Sequence, residues 1–427
     1  MSQKKILIIT YYWPPAGGPG VQRWLKFAKY LPEFGWEPTV FIPENPSYPI
    51  SDESLKSEVP EDLKIIRTKI WEPYRFAEKL SKTNEKFKGG QFDVGKNQSW
   101  KSKLSIWIRG NFFIPDARVF WVNPSVRYLR KLLRENHYDV LVTTGPPHSL
   151  HLIGLELKKE FPNLKWVADF RDPWTEISYY RHLKLSKAAD RKHRKLEKSV
   201  FQNADITIAT SFTDAKNFSD QCANAVCITN GFDTEAETKV SRDNVKFTVS
   251  YIGVLEQLRN PAVLWTILSE LVKEKPEFAE HFELRFTGRI DDHILKQLQN
   301  SGLSEFIKNI GYVEHAKSVE EMRASDLLVL TNFPNAASKG IIPGKIFEYL
   351  STGNKIISFG PENADVETIL NQTKAGKHFL YSDEILAKTY ILQVFEEWKN
   401  GSLQNSESSA SEMYSRRNLT RQLVEIL

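Results

Sequence analysis

The chain has 427 residues, room for two or three domains, and its 41% apolar and 26% charged residues exclude a disordered chain and fit one with a sizeable core. Only two cysteines occur, Cys222 and Cys227; this excludes a disulfide-stapled scaffold, fits a reducing cytoplasm and leaves both as ordinary small hydrophobes. The net charge of +5 admits anionic partners without demanding nucleic acid, no run reaches the ~18 apolar residues of a membrane-spanning helix, and the 11 tryptophans are the compositional oddity.

Ile6–Ile9 is too short for a signal-peptide core, so Lys5–Thr10 reads as a buried strand. A Gly/Pro loop, Trp13–Gly20, follows it. Next comes a helix over Val21–Phe34, with Trp24, Leu25, Phe27, Ala28 and Leu31 on one face, then Gly35 and a strand over Pro38–Ile42. Residues 44–125 read as irregular: a Lys-rich stretch, Glu78–Lys103, runs into an aromatic one holding Trp100, Trp107, Phe112, Phe113, Phe120 and Trp121. The alternation resumes with helix Pro124–Asn136, strand Asp139–Thr143, helix Ser149–Glu160, strand Lys165–Asp169, a basic helix over Lys184–Gln202, strand Ile206–Thr210, a helix from Thr213 and strand Val226–Thr229.

A second series begins at strand Phe247–Ile252. It continues through helix Pro261–Lys275, strand Glu283–Thr287, helix Asp292–Ser301, strand Ile307–Gly311, helix Ser318–Ala324, strand Leu327–Thr331, helix Gly344–Thr352, strand Lys355–Phe359 and a helix near Ala364–Thr373. Gly401–Ser411 reads as loop and Glu412–Leu427 as helix. Strands alternating with helices predict parallel sheets with right-handed crossovers. The expected fold class is therefore α/β with two Rossmann-like domains: residues 1–235, on which helix 412–427 packs back, and residues 245–400, joined near Gly231–Asn244. Ligands of such sheets bind in a cleft beyond the carboxyl ends of the strands.

The motifs fall at those ends. Gly17, Gly18 and Gly20 lie between strand and helix, where amides and the helix dipole hold an anion; a plain turn and a dinucleotide site are the other readings, the latter poor because Arg23 stands where the third glycine belongs. His148, in Gly145-Pro146-Pro147-His148-Ser149, opens a helix and can donate to a sugar hydroxyl or a phosphate, or cap the helix. In Asp169-Phe170-Arg171-Asp172-Pro173-Trp174, Asp169 and Asp172 can act as a base, bind hydroxyls or pair with Arg171; with no third ligand near, a metal is disfavoured.

Arg181–Lys198 carries eight Lys/Arg against Asp190 and Glu197, a local net of +6, and reads either as a solvated face or as a basic amphipathic surface for anionic headgroups. In the second half Gly253 ends a strand and Arg259 follows six residues later, placed to clamp a diphosphate. Gly344 opens a helix whose amides suit phosphate, Lys345 adds a cation, and Glu348 sits one turn on along an otherwise apolar helix, where a ribose diol or a salt bridge would satisfy it.

The order of these motifs resembles the GT-B-fold glycosyltransferases of the family 4 (group 1) type. The Gly-rich first loop, Gly-Pro-Pro-His-Ser, Asp169–Thr175, Asn230-Gly231-Phe232-Asp233 and Gly344–Leu350 carry it, over most of the chain. The resemblance implies a transferase of EC 2.4 type with no cofactor and no metal, usually retaining. A nucleotide-diphosphate sugar is bound mainly by the second domain, and a glycan or lipid-linked acceptor by the first.

By position, Glu348 resembles the ribose-binding acid and Arg259 the phosphate-binding cation. Gly17 and Gly18 resemble the loop near donor phosphate and acceptor, and His148 the residue touching the transferred sugar. Gly340 stands where a second acid is usual and Val254 where an arginine is, with Lys345 or Arg289 as replacement cations. Asp169 or Asp172 is expected to orient the acceptor, and no nucleic-acid partner is expected. The expected setting is cytoplasmic, at the inner face of the membrane, in cell-surface polysaccharide synthesis. Trp100–Trp121 and the 181–198 helix are the expected contact with anionic lipid. An epimerase or hydrolase on the same fold, and a non-catalytic sugar-binding subunit, are the rival readings.

Overall fold

A computed structural model of the chain describes residues 3–72, 100–233, 245–403 and 408–427. Seven parallel strands form the first sheet: β1 (Lys4–Ile9), β2 (Trp36–Glu44), β3 (Lys64–Lys69), β4 (Val140–Gly145), β5 (Lys165–Phe170), β6 (Ile206–Ala209) and β7 (Ala225–Cys227), in the order β3-β2-β1-β4-β5-β6-β7. Six more form the second: β8 (Phe247–Ile252), β9 (Phe282–Thr287), β10 (Ile307–Gly311), β11 (Leu327–Thr331), β12 (Lys355–Phe359) and β13 (Gly376–Phe379), in the order β10-β9-β8-β11-β12-β13. The chain divides into two units, Met1–Thr229 with Leu419–Leu427, and Asn230–Asn418.

Burial on both faces of the sheet explains why β1 is apolar from Ile6 to Ile9. Ile6 and Ile8 point to one face, onto Trp24, Leu25 and Phe27 of the helix Pro19–Tyr30 and onto Leu419 and Leu423 near the carboxyl terminus. Leu7 and Ile9 point to the other, onto Trp121, Leu129 and Ile153. Both faces are covered by helices, as a parallel sheet requires. In the second unit β8 is buried along its whole length, with Phe247, Val249 and Tyr251 packed among Leu264, Leu268, Phe278 and Phe395.

Three expectations change. Residues 44–125 are not irregular among the described positions: β3 pairs with β2 from Thr39–Lys64 to Glu44–Lys69, a helix spans Trp100–Phe112, and the next runs Val119–Glu135 with Pro124 inside it. The proline marked a helix start because it breaks interiors, yet burying Trp121 and Val122 holds the preceding turn on the sheet. Trp121 leaves the expected lipid-facing group, since it is fully buried and stacked on Phe41 at 5.2 Å. Most of the Lys-rich stretch Glu78–Lys103 lies outside the described residues.

The second sheet gains β13 and the unit gains helix Glu384–Lys399. A four-residue strand containing Gly, Lys and His has no apolar run to announce it, and Gly376 is required there because a Cβ would enter the Ile356 backbone. No described helix is long and apolar enough to cross a membrane.

Candidate active site

All strands of a parallel sheet end at one edge, so the loops after β1, β4 and β5 converge in the first unit. Gly17 donates its N–H to Ile50 O at 2.9 Å, and a Cβ there would press on Ile50, so it is a packing glycine. Gly18 has φ 91°, open space where its side chain would be, and Pro19 at the first helical position after it. Arg171 ties the loops together, donating to Gly20 O at 3.1 Å and to Pro146 O.

Asp169 is fully buried and accepts from Arg23 Nη2 (2.9 Å), Trp24 Nε1 (2.7 Å) and Thr144 Oγ1 (2.8 Å). Burial alone would raise its pKa, but the Arg23 charge and these donors outweigh that and hold the carboxyl below its ordinary value. Arg23 also donates to Thr229 O at 2.8 Å. The expectation that Asp169 orients an acceptor therefore changes: its acceptor positions are occupied, and it organises the loop from beneath. Asp172 is the exposed carboxylate of the pair and has no hydrogen bond among the described residues.

His148 is buried at 6% exposure, with both ring nitrogens lacking a partner among the described residues. Its ring lies flat on Trp174, centroids 5.2 Å apart. Burial, then the neighbouring His151 and Arg171, pushes its pKa well below the usual imidazole value, so it is neutral and can both donate and accept. Its helix is capped from outside, by Asp116 accepting from Ser149 N (2.9 Å) and Ser149 Oγ (2.8 Å). The basic helix Lys187–Asn203 holds the stacking partner from behind: Trp174 Nε1 donates to His193 Nδ1 at 3.1 Å, and Glu197 accepts from Thr175 N (3.0 Å) and Oγ1 (2.6 Å).

The second unit has the opposite electrostatics. Gly253 (φ 101°) and Gly288 (φ 118°) end β8 and β9, and a Cβ on Gly288 would enter the Gly253 backbone. A Cβ on Gly253 would lie 2.5 Å from Lys345 Nζ, so the glycine makes room for the lysine. Lys345 begins the helix Lys345–Thr352, which the buried Ile346, Phe347, Tyr349 and Leu350 fix against the sheet. Its Nζ lies 4.8 Å from the Tyr251 ring centroid and has no hydrogen bond or ion pair among the described residues. Burial, then the nearby Arg259, lowers its pKa to about 8.

The Arg259 guanidinium lies 5.4 Å over Phe333 and its one ion pair among the described residues is with the exposed Glu256, at 3.3 Å; its Nε is buried and has no hydrogen bond among those residues. Glu348 is half-buried one turn beyond Lys345, with no side-chain partner among the described residues. Gly344 is exposed, with nothing within 4 Å of a Cβ, so the helix start is open. The preceding loop is pinned by Asn332 Nδ2 donating to Ile341 O at 2.7 Å. Of the two replacement cations, Lys345 lies against Gly253, while Arg289 is exposed.

Each unit thus collects its own set: Gly18, His148 and Asp172 in the first, and Gly253, Arg259, Gly344, Lys345 and Glu348 in the second. Sequence reasoning missed Arg23, Asp116 and the ring partners Trp174, Tyr251 and Phe333. One signal was legible, since Arg23 at the position of a third glycine already argued that the loop held something other than a dinucleotide. Among the described residues no group of three His, Cys, Asp or Glu is placed to hold a metal.

No curated protein matches the chain. Solved structures match over nearly its full length at low identity. A glycosyltransferase from Rickettsia africae has a TM-score of 0.58 at 13% identity, covering 100% of this chain and 98% of that one. HepE of Anabaena, solved with UDP, has a TM-score of 0.58 at 14% identity, covering 99% of each chain. Sucrose-phosphate synthase from Thermosynechococcus elongatus has a TM-score of 0.57 at 13% identity, covering 99% of this chain and 98% of that one. Such likeness shows the fold. The activity class comes from residues 98–236, which match the family described as Glycosyltransferase Family 4. The chain is thus a glycosyltransferase with the GT-B fold of two parallel-sheet units, and its residues 98–236 match the Glycosyltransferase Family 4 model.

Proposed function

We propose that the second unit binds a nucleotide-diphosphate sugar and that the first receives a glycan or lipid-linked glycan acceptor, with no metal and with retention at the anomeric carbon. The setting would be cell-surface polysaccharide synthesis at the inner face of an anionic membrane. One observation carries the donor half: Lys345 and Arg259 stand together with no buried carboxylate to neutralise them, at an open helix start. Two cations whose nearest carboxylates are the exposed Glu256 and the half-buried Glu348 suit a diphosphate. Glu348, one turn further in, suits the two hydroxyls of a ribose. HepE was solved with UDP and with UDP and glucose, which makes uridine diphosphate the first probe for this chain.

In this reading the bond between the anomeric carbon and the diphosphate oxygen breaks, and negative charge grows on that oxygen. Lys345, Arg259 and the amides near Gly344 stabilise it where it develops. The acceptor hydroxyl attacks the same face, forms the new glycosidic bond and passes its proton to the departing phosphate. Neutral His148 and the exposed Asp172 orient sugar hydroxyls.

A thermal-shift screen over nucleoside diphosphates and their sugars tests the donor half, since a ligand that binds only the folded state stabilises by RT ln(1 + [L]/Kd). A shift with at least one diphosphate, and nucleotide release that needs an added acceptor, are expected. No shift with any diphosphate would remove the donor assignment.

A further inference from the structure

A buried amide at the end of β11 joins segments that lie far apart in the second unit. Asn332 follows β11 directly and is 3% exposed, yet each of its polar groups is engaged. Its N–H donates to Phe359 O at 2.8 Å, which fixes it to the end of β12. Its Nδ2 donates to Ile341 O at 2.7 Å and to Ser338 O at 3.3 Å, and its Oδ1 accepts from Phe333 N at 2.9 Å. Its carbonyl accepts from the Tyr381 hydroxyl at 2.7 Å. The side chain thus supplies two donor hydrogens and an acceptor at one buried point. Aspartate lacks the donors and serine has only one, so the residue type follows from the bonds.

The segments it joins border the Arg259–Lys345 pair. Phe333 is the ring that lies 5.4 Å from the Arg259 guanidinium. The Ser338–Ile341 turn precedes Gly344, where the helix Lys345–Thr352 opens. The Ser338 hydroxyl closes the loop between them, 2.6 Å from Phe333 O and 2.8 Å from Asn335 O. Tyr381, two residues past β13, adds a tie to the arginine itself, because its hydroxyl also lies 3.4 Å from Arg259 O.

The lysine is placed in the same way. Its partner ring, Tyr251, has its hydroxyl 3.0 Å from Val254 O and 3.5 Å from Thr331 Oγ1, next to Asn332. Each cation therefore lies over a ring tied to the end of β11. A ring face positions a cation without cancelling its charge, whereas a carboxylate does both.

We infer that Asn332 is a positioning residue for the donor diphosphate. It acts through its neighbours rather than by touching the ligand: it sets the Phe333 ring under Arg259 and the turn ahead of Gly344 at one spacing, so that guanidinium and helix amides reach the same diphosphate. This rests on the second unit being the donor side and deepens that reading. An asparagine that merely closed its own loop would matter to stability and leave nucleotide affinity alone.

Titration calorimetry of the full chain with UDP, ADP and GDP tests it, with urea midpoints measured alongside and the tightest of the three as probe. Asn332→Ala should weaken that nucleotide by roughly tenfold. Phe333→Leu, which keeps an apolar side chain at a half-buried position, should weaken it by roughly two- to fivefold. In an Arg259→Ala background Phe333→Leu should change the affinity no further, and Asn332→Ala less than in the parent, because residues that act through one another are not additive. A lowered urea midpoint with parental affinity, or losses that add in full to that of Arg259→Ala, would make these residues structural and overturn the positioning. If Asn332→Ala does not fold, the Phe333→Leu cycle decides alone. Binding that Arg259→Ala weakens and the other two variants leave unchanged removes the positioning and keeps the donor reading. A parent that binds none of the three nucleotides removes both.

Discussion

The carboxyl edges of the two sheets are built from the same architecture and hold charge in opposite ways. In the first unit the buried carboxylates are satisfied underneath the loops: Asp169 and Glu72 by the guanidinium groups of Arg23 and Arg118, Glu72 also by the Tyr11 hydroxyl, and Glu197 by hydrogen bonds from Thr175. What this edge shows to a ligand is a neutral imidazole, the Gly18 turn and one exposed carboxylate. In the second unit Lys345 and Arg259 lie together at the edge without a buried counter-charge. A buried, satisfied ion pair fixes geometry, whereas an unsatisfied cation waits for an anion. The comparison separates scaffold from binding group where the sequence shows only Asp, Arg and Lys.

Four outcomes would break or sharpen it. The largest belongs to the scaffold: Asp169→Ala leaves Arg23 buried and unpaired and should cost about 3–5 kcal/mol, read as a lowered urea midpoint. Full stability with lost turnover would instead return Asp169 to the chemistry. Next, Lys345→Ala should lower kcat/KM by ~10²–10³ with an unchanged melting temperature, the size expected for removing one preorganised charge partner. A drop in stability with normal kcat/KM would make it structural. Glu348→Gln should cost about 1.5–3 kcal/mol of donor binding, read as a higher KM for the nucleotide sugar, because a charged acceptor to the ribose is weakened. An unchanged KM would release Glu348 from the site.

The smallest effect is a pH dependence. Lys345 has its pKa lowered to about 8 in the free chain, so its cation is present below that pH and lost as pH rises through it. The kcat/KM for the donor, which reports the free enzyme, should fall above about pH 8, and Lys345→Arg should flatten that limb. A flat profile in the parent chain would mean that Arg259 alone holds the diphosphate.

Most of the fold was legible, for a local reason. Buried parallel strands are short β-branched or aromatic runs, so Phe247–Ile252, Leu327–Thr331 and Lys355–Phe359 fall where the pattern puts them. β3 was missed because as an edge strand it reads Lys-Ile-Ile-Arg-Thr-Lys, half exposed and charged at both ends. In the second unit the placement of the candidate residues was also legible, since Gly253, Lys345 and Glu348 sit at fixed offsets from strand ends and a helix start. The first unit's was less so. Asp169, Asp172 and Arg171 lie within four residues and look alike in sequence, but β5 turns Asp169 beneath the sheet edge onto Arg23, 146 residues away, and leaves Asp172 outside.

The sequence by itself determined the two parallel-sheet units, their glycine-marked edges and the excess of cations in Arg181–Lys198, because all of these follow from local periodicity and composition. It also showed 11 tryptophans without saying which were core. Tertiary structure decided that. Trp13, Trp24, Trp121, Trp166 and Trp265 fill the interior, while Trp71 and Trp107 remain exposed. Whether a ring is buried or a charge is matched depends on partners distant in the chain, and only the packed sheet brings those partners together.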